Sequence, residues 1–156
     1  MARQLTVNIP YTPRPLQRAI HAALETHRFC VFVCHRRFGK TVCFLNHLQR
    51  AALTCRNPRP RFAYIAPTCR QAKTIAWDYL KHYSAPIPGV EQRESDLAVN
   101  YPNGGQVRLY GGDSPDSLRG IYLDGVVFDE YGLQPPNIFT EVIRPTLTDR
   151  TCPPFR

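Results

Sequence analysis

Two short motifs in the sequence carry residue types that bind and cleave a triphosphate. The first, CHRRFGKT at residues 34–41, lies between an apolar run and a helical pattern. In that placement the backbone N–H groups and the dipole of the helix start point at a phosphate. Gly39 lets the backbone approach closely, Lys40 can reach the β- and γ-phosphates, and the Thr41 hydroxyl can ligate Mg²⁺. Cys34 replaces the first glycine of the usual motif, so this loop needs support from elsewhere in the chain.

The second motif is VVFDE at residues 126–130, an apolar run that ends in two carboxylates. In nucleotide-hydrolysing folds such a strand ends in an Asp that holds Mg²⁺ through water, and the next Glu polarises the attacking water. A single acidic strand end is common and is usually just solvated. Because Asp129 and Glu130 follow the GKT motif by about 90 residues, the two motifs together predict an ATPase-type site that uses ATP and Mg²⁺.

A third candidate is Gln17, in PRPLQ, about a dozen residues before the apolar run that leads to the loop. A glutamine amide offers a donor and an acceptor together, which matches the edge of adenine. A glutamine on a helix is more often simply exposed to solvent. Its position ahead of a phosphate loop favours the adenine interpretation.

Alternating strand and helix patterns predict an α/β fold with a mainly parallel sheet and one antiparallel hairpin. The apolar run at 29–34 predicts a strand buried on both faces. Runs 97–101 and 106–110, joined by PNGG, predict the hairpin. The other expected strands are 3–8, 62–66 and 125–129, and the expected helices begin near 16, 41, 69 and 135, the last one broken at Pro145.

The composition excludes several classes of protein. Hydrophobic residues make up 43% of the 156 residues, which excludes a disordered chain, and no apolar run approaches the ~20 residues of a membrane span. The six cysteines form no Cys-x-x-Cys pair, so reduced thiols are favoured over zinc or disulfides. The net charge of +8 fits a polyanionic partner, although a basic surplus often only keeps a protein soluble.

Five segments in this order resemble the ATPase domain of the large terminase subunit of tailed bacteriophages. They are PRPLQ, HRRFGKT, YIAPTCRQAKTIAW, GGDSPDSLRG and VVFDEYG, and they cover most of the chain. The resemblance implies a P-loop NTPase fold of the RecA/helicase-like, three-layer type. It gives Lys40, Thr41, Asp129 and Glu130 the roles described above.

The resemblance also implies roles for the other residues of the loop. Arg36 stands where the family often has a basic residue that senses the γ-phosphate, and Arg37 is an alternative for that role. Arg37 and Phe38 are further expected to line the nucleotide site with Gly39. His35 departs from the small residue that is frequent at its position.

The same resemblance predicts partners and organisation. Residues 1–156 would form an ATPase domain that is incomplete at its C-terminus and lacks the nuclease domain. The partners would be double-stranded viral DNA, the portal protein and the small terminase subunit, with a homo-oligomeric ring in the host cytoplasm and no membrane. No apolar run follows Glu130 to supply a strand between the GKT strand and the DE strand of the sheet. The isolated chain is therefore expected to bind nucleotide weakly and to hydrolyse ATP at a negligible rate.

Two alternatives stay open from the sequence. A helicase-like, DNA-stimulated ATPase shares the glutamine, the GKT and the DE pair. A non-catalytic fragment could bind nucleotide or DNA without turnover.

Overall fold

A five-stranded sheet forms the centre of the computed structural model, which describes residues 6–148. The strand order across the sheet is β2-β3-β4-β1-β5. β1 runs parallel to both β4 and β5, whereas β2, β3 and β4 pair in antiparallel fashion. The strands are β1 (Arg61–Ala66), β2 (Glu91–Arg93), β3 (Ala98–Asn100), β4 (Gln106–Gly111) and β5 (Gly125–Phe128).

The helices begin where the sequence supplies start signals. α1 (Pro15–Thr26) has proline at its first position, where the missing N–H costs nothing, and α2 (Lys40–Thr54) follows Gly39. The Thr68 hydroxyl caps the next helix by accepting a hydrogen bond from the Gln71 N–H. That helix comprises α3 (Cys69–Gln71), a π-helical stretch (Ala72–Trp77) and α4 (Asp78–Ser84).

Short elements follow β4. Two 3-10 turns cover Pro115–Leu118 and Tyr131–Leu133, and a π-helical stretch, Ile138–Ile143, continues into α5 (Arg144–Thr146). The chain therefore stays helical to one residue beyond Pro145, close to the predicted break. None of the helices in residues 6–148 is both long and apolar enough to cross a membrane.

Alternate residues of β1 enter separate cores on the two faces of the sheet. Phe62 and Tyr64 pack with α2 and the 69–84 helix, in a cluster that includes Leu45 and Trp77. Ile65 packs on the other face with a cluster that includes Leu118, Leu123, Ile138 and Ile143. A sheet covered on both faces gives the expected three-layer α/β architecture.

The predicted strand at 29–34 is wrong. Residues 30–35 belong to no strand or helix, and Val31 and Val33 are 93% and 99% exposed. Only one face of the segment packs: Phe32 and Cys34 contact the cluster of Ile20, Phe38 and Cys43. The physical reason is the lack of a neighbour, because within residues 6–148 β5 pairs only with β1 and no strand lies beside this segment.

The other strand predictions have mixed outcomes. The hairpin is confirmed by the antiparallel pairing of β3 with β4, and its turn is closed by a 2.8 Å hydrogen bond from the Tyr101 N–H to the Gly105 carbonyl. The expected strand at 3–8 falls partly outside the described residues, and residues 6–8 are not strand. β2 is an exposed edge strand that the sequence reading missed, because EQR has no apolar alternation.

Candidate functional site

The two chemical motifs meet at one end of the sheet. The Lys40 ammonium, at the start of α2, lies 3.2 Å from Asp129 Oδ1 and forms a closer ion pair with Glu130 Oε1. Asp129 and Glu130 directly follow β5. Residues 90 positions apart in the sequence (130 − 40) therefore form one charged cluster.

The loop before α2 makes a tight turn with unusual backbone angles. Gly39 has φ +80° and Arg37 has φ +63°, so both lie in the left-handed region. A non-glycine residue in that region stores strain of about 1–3 kcal/mol and often marks a ligand site. The turn is closed by a hydrogen bond from the Phe38 N–H to the His35 carbonyl. As at the start of any α-helix, the first four N–H groups of α2 have no partner within the helix and can bind an anion.

Two side chains at the start of α1 form hydrogen bonds with the backbone of this loop. The Arg14 guanidinium donates to the Phe38 carbonyl, and Gln17 Nε2 donates to the Phe38 and Gly39 carbonyls at 3.4 and 3.2 Å. Gln17 Oε1 accepts a 2.9 Å bond from the Arg14 N–H. A Cβ on Gly39 would stand 2.5 Å from Arg14 Nη2, the end of a flexible side chain, so it is the φ of +80° rather than this contact that favours glycine there.

Gln17 is thus brought to the loop, but its amide is largely occupied by protein atoms. The residue is only 4% exposed, and both Nε2 hydrogens point at loop carbonyls. The amide oxygen has a second lone pair that the Arg14 bond does not use. A cavity of about 270 Å³ opens beside it, lined among others by Tyr11, Val42 and Tyr83.

The carboxylate side of the site is fixed by the sheet. The Asp129 N–H continues the ladder by donating to the Ile65 carbonyl at 2.9 Å. Asp129 Oδ2 accepts a 2.6 Å hydrogen bond from the Tyr64 hydroxyl, and Oδ1 accepts from the Glu130 N–H. Gln134 donates to the Ile65 and Asp129 carbonyls and so ties the ends of β1 and β5 together.

The two carboxylates differ in exposure and backbone strain. The Asp129 side chain is 11% exposed, whereas that of Glu130 is 54% exposed. Glu130 also has φ +46°, in the left-handed region. A buried, fixed carboxylate suits a metal ligand, and an exposed one can reach a water molecule.

Electrostatics couple the two sides of the site. Burial lowers the pKa of Lys40, but hydrogen bonds and ion pairing with Glu130 and Asp129 outweigh it and raise the pKa above its ordinary value. Burial raises the pKa of the Tyr64 hydroxyl most, and the charge of Asp129 raises it further. The Thr41 side chain acts in the opposite direction and lowers this pKa. Lys40 is therefore a cation and Tyr64 a neutral donor at neutral pH.

The donor set fits Mg²⁺ in combination with phosphate. Asp129 supplies a hard carboxylate oxygen, and Thr41 places its hydroxyl near Tyr64, beside that carboxylate. Residues 6–148 contain no group of three or more His, Cys, Asp or Glu able to hold a metal. Mg²⁺ commonly binds through one or two carboxylates, waters and substrate phosphates.

The remaining predicted residues surround the loop. Arg36 and Arg37 are exposed, and neither guanidinium forms a hydrogen bond or ion pair within residues 6–148. Phe38 is buried in the small cluster under α1 and α2, so it offers a ligand its backbone rather than its ring. His35 Nδ1 lies 2.6 Å from the Arg36 carbonyl.

Sequence reasoning missed three residues that position the site: Arg14, Tyr64 and Gln134. Arg14 stands in the same PRPLQ segment as Gln17, so its charge was a signal within reach. The signal for Tyr64 was a hydroxyl in an otherwise apolar strand. The contacts of Gln134 span up to 69 residues and leave no local pattern.

Sequence similarity links the chain to phage proteins. No family model matches the chain. The large terminase subunit of Thermus phage G20c is 30% identical over an alignment 159 positions long, which covers 90% of this chain and 32% of that protein. The chain thus spans about a third of the length of this relative.

Similar solved structures agree with that match. The large terminase ATPase domain of Thermus phage P74-26, in an arginine-to-alanine variant, superposes with a TM-score of 0.71 at 26% identity, covering 91% of this chain and 63% of that one. The chain is similar in sequence and in fold to phage large terminases. Its similarity lies in their ATPase domain, which has the P-loop NTPase fold.

The large terminase of a thermophilic bacteriophage, solved in complex with ATP-γ-S, is more distant. It shows a TM-score of 0.56 at 20% identity, covering 72% of this chain and 28% of that one. This likeness concerns the fold.

Proposed function

We propose that this chain is the ATP-binding and ATP-hydrolysing region of a phage large terminase, acting with Mg²⁺ in DNA packaging. The observation that carries the proposal is the cluster of Lys40, Asp129 and Glu130 at one end of the sheet. The terminase relatives support it, since a solved ATPase domain has this fold and the more distant terminase has been solved with ATP-γ-S.

Each residue of the cluster has a distinct role in this proposal. The Lys40 ammonium pairs with the β- and γ-phosphates, exchanging its carboxylate partners for phosphate oxygens. Asp129 and the Thr41 hydroxyl hold Mg²⁺, which neutralises charge on the phosphates when bound. The Glu130 carboxylate accepts a hydrogen bond from the attacking water. The water oxygen bonds to the γ-phosphorus, the bond from that phosphorus to the β–γ bridging oxygen breaks, and the water proton passes by way of the Glu130 carboxylate to the phosphate that leaves with ADP as the other product.

The two loop arginines are proposed to contact the γ-phosphate. Arg36 and Arg37 follow the segment 30–35 and are exposed with unpaired guanidinium groups in the described part of the chain. A guanidinium carries up to five N–H donors and stabilises charge that develops on transferring phosphoryl oxygens. We assign the sensor role to Arg36, with Arg37, Phe38 and Gly39 lining the phosphate site.

Adenine is proposed to enter the cavity beside Gln17. The free lone pair of Gln17 Oε1 can accept from the exocyclic amine of adenine without breaking its bond to Arg14. Guanine presents a carbonyl oxygen at the corresponding position, which would face the amide oxygen. The cavity wall formed by Tyr11, Val42 and Tyr83 supplies apolar surface for the base.

The partners follow from the relatives and from the charge. We propose double-stranded viral DNA, the portal protein and the small terminase subunit as partners, in a homo-oligomeric ring in the host cytoplasm. The +8 charge supports sequence-independent DNA binding through phosphate contacts. Such affinity should fall steeply between ~50 and ~200 mM salt, and an affinity that stayed flat would contradict it.

A non-catalytic nucleotide-binding role is the second candidate. The exposure of Val31 and Val33 favours it, because the segment leading to the phosphate loop is not held in the sheet. Catalysis needs geometry held to about 0.5 Å. Phosphate release from the 156-residue chain, with and without DNA, separates the two candidates: turnover near ~10 s⁻¹ supports catalysis by the chain as it stands.

The test of hydrolysis compares Glu130→Gln with its parent, in the 156 residues joined to the rest of a large-terminase ATPase domain. Glutamine keeps the shape but cannot act as a base. Turnover should fall by about 10²–10⁴-fold, while ATP affinity stays unchanged. Hydrolysis at the parent rate would show that Glu130 does not activate the water.

A further inference from the structure

Tyr64 is the largest side chain of β1 and is almost fully buried, at 1% exposure. It lies opposite Val127 in the parallel pairing of β1 with β5. Side chains alternate along a strand, so Asp129 follows Val127 on the same face of the sheet. That face is the one covered by α2, whose first turn carries Lys40 and Thr41.

The Tyr64 hydroxyl uses this position to fix one oxygen of Asp129. It donates to Asp129 Oδ2 at 2.6 Å, within the range of a strong O–H···O⁻ bond. The other oxygen, Oδ1, accepts from the Glu130 N–H and faces the Lys40 ammonium at 3.2 Å. The hydroxyl therefore determines which carboxylate oxygen is turned toward the cluster.

We propose that Tyr64 is a positioning residue for the magnesium-binding carboxylate. By holding Oδ2, it leaves Oδ1 of Asp129 to face the metal. This inference rests on the proposed function, because Asp129 and Thr41 must be the residues that hold Mg²⁺. Partners that orient a metal ligand in this way typically contribute about 10–100-fold to metal affinity.

The test uses Tyr64→Phe, which removes only the hydroxyl, in the 156-residue chain. Tyr101→Phe is the matched control: its hydroxyl is equally buried and donates to Gln49 Oε1 at 3.1 Å, in the hairpin region away from the site. Mn²⁺ replaces Mg²⁺ as a paramagnetic probe, and free Mn²⁺ is measured by electron paramagnetic resonance in the presence of ADP. ADP affinity without metal is measured in parallel.

The expected result is a Mn²⁺ dissociation constant raised at least about 10-fold in Tyr64→Phe. Metal-free ADP affinity should stay within about twofold of the parent, and Tyr101→Phe should change neither value. Unchanged Mn²⁺ affinity in Tyr64→Phe would overturn the inference and leave the proposed function standing. An equal loss of metal-free ADP affinity would also overturn it, because the role would then be structural.

Two further outcomes are decisive. If the parent chain shows no ADP-dependent Mn²⁺ binding, the proposed function fails and this inference fails with it. If Tyr64→Phe does not fold, 3-fluorotyrosine at position 64 takes its place, since it keeps the ring and the donor. Mn²⁺ affinity within about threefold of the parent is then expected. Where Tyr64→Phe does fold, adding it to an Asp129→Asn background should cause no additional loss of Mn²⁺ affinity. A larger change in either measurement contradicts the inference.

Discussion

The two sides of the site are held in different ways. Asp129 extends a strand of the sheet, and backbone pairing, the Tyr64 hydroxyl and the Gln134 amide all fix it. The phosphate loop follows a segment that belongs to no strand and is held mainly by Arg14 and Gln17 of α1. Sheet contacts therefore position the carboxylate side of the site, and side-chain bonds to two carbonyls position the loop side.

The geometry of the site therefore depends on fewer contacts at the loop than at the carboxylates. The backbone position of Asp129 would survive the loss of any one of these side-chain hydrogen bonds, because its ladder bond to β1 remains. The loop side depends on α1 packing against α2, which includes the stacked rings of His21 and His47. The Lys40 ion pair with Asp129 and Glu130 is the direct link between the two sides.

The largest effect is expected in the sheet. Ile65→Ala removes a fully buried side chain from the cluster beneath β1 and β5, where the neighbouring side chains cannot collapse freely. It should lower the free energy of unfolding by about 2–5 kcal/mol, as measured by urea denaturation. A loss below about 1 kcal/mol would mean that this core is loosely packed and that the sheet side is not the rigid one.

The α1–α2 contact should make stability depend on pH. Burial, then His21 and Arg50, lowers the pKa of His47 to about 4, from 6.5 in the unfolded chain. The unfolded state therefore takes up the proton first, so stability should be constant above pH 6.5 and fall by roughly 1–3 kcal/mol as the pH drops toward 4. His47→Gln should flatten that slope. An identical slope in the variant would assign the pH dependence to other groups.

Gln17→Glu tests whether Gln17 supports the loop and recognises the adenine base. The carboxylate cannot donate to the loop carbonyls, but it keeps an oxygen that can accept from the exocyclic amine of adenine. ATP and GTP affinities should therefore both fall by about 1–3 kcal/mol as the loop loses its support, while the preference for ATP over GTP should persist. Equal ATP and GTP affinities before and after the change would rule out Gln17 as a base-reading residue.

The smallest effect is expected in the segment outside the sheet. Val33 is almost fully exposed, so Val33→Ala removes almost no buried surface and should change the stability of the 156-residue chain by less than about 0.5 kcal/mol. The measurement is the free energy of unfolding in urea, determined for Val33→Ala and Ile65→Ala under the same conditions. A loss comparable to that of Ile65→Ala would show that this segment is packed in solution.

Local patterns predicted much of the fold. The helix after Gly39 and the hairpin around residues 101–105 were predicted because their start and turn signals lie within a few residues. The meeting of Lys40 with Asp129 and Glu130 was also predicted, since strand–loop–helix motifs place their functional ends at the same edge of a parallel sheet.

The failures concern information that a single stretch of sequence does not carry. The run FCVFVC has strong strand propensity, but a strand also needs a neighbour to pair with, and none of the described strands lies beside it. The hydrogen bond between Tyr64 and Asp129 joins residues 65 positions apart, so the sequence around Tyr64 does not reveal Asp129 as its partner. Gln17 was expected to face a ligand, and its bonds to the loop emerged only from the packing of α1 on α2.

The central claim is that Lys40 faces the carboxylates across a site for the phosphates of ATP. Isothermal titration of ATP with Mg²⁺ into the 156-residue chain, the Lys40→Ala variant and a Lys40→Arg control tests it directly. We expect measurable, weak binding by the parent, at least a tenfold loss (about 1.4 kcal/mol) in Lys40→Ala and a smaller loss in Lys40→Arg. Equal affinity of the parent and Lys40→Ala would contradict the account.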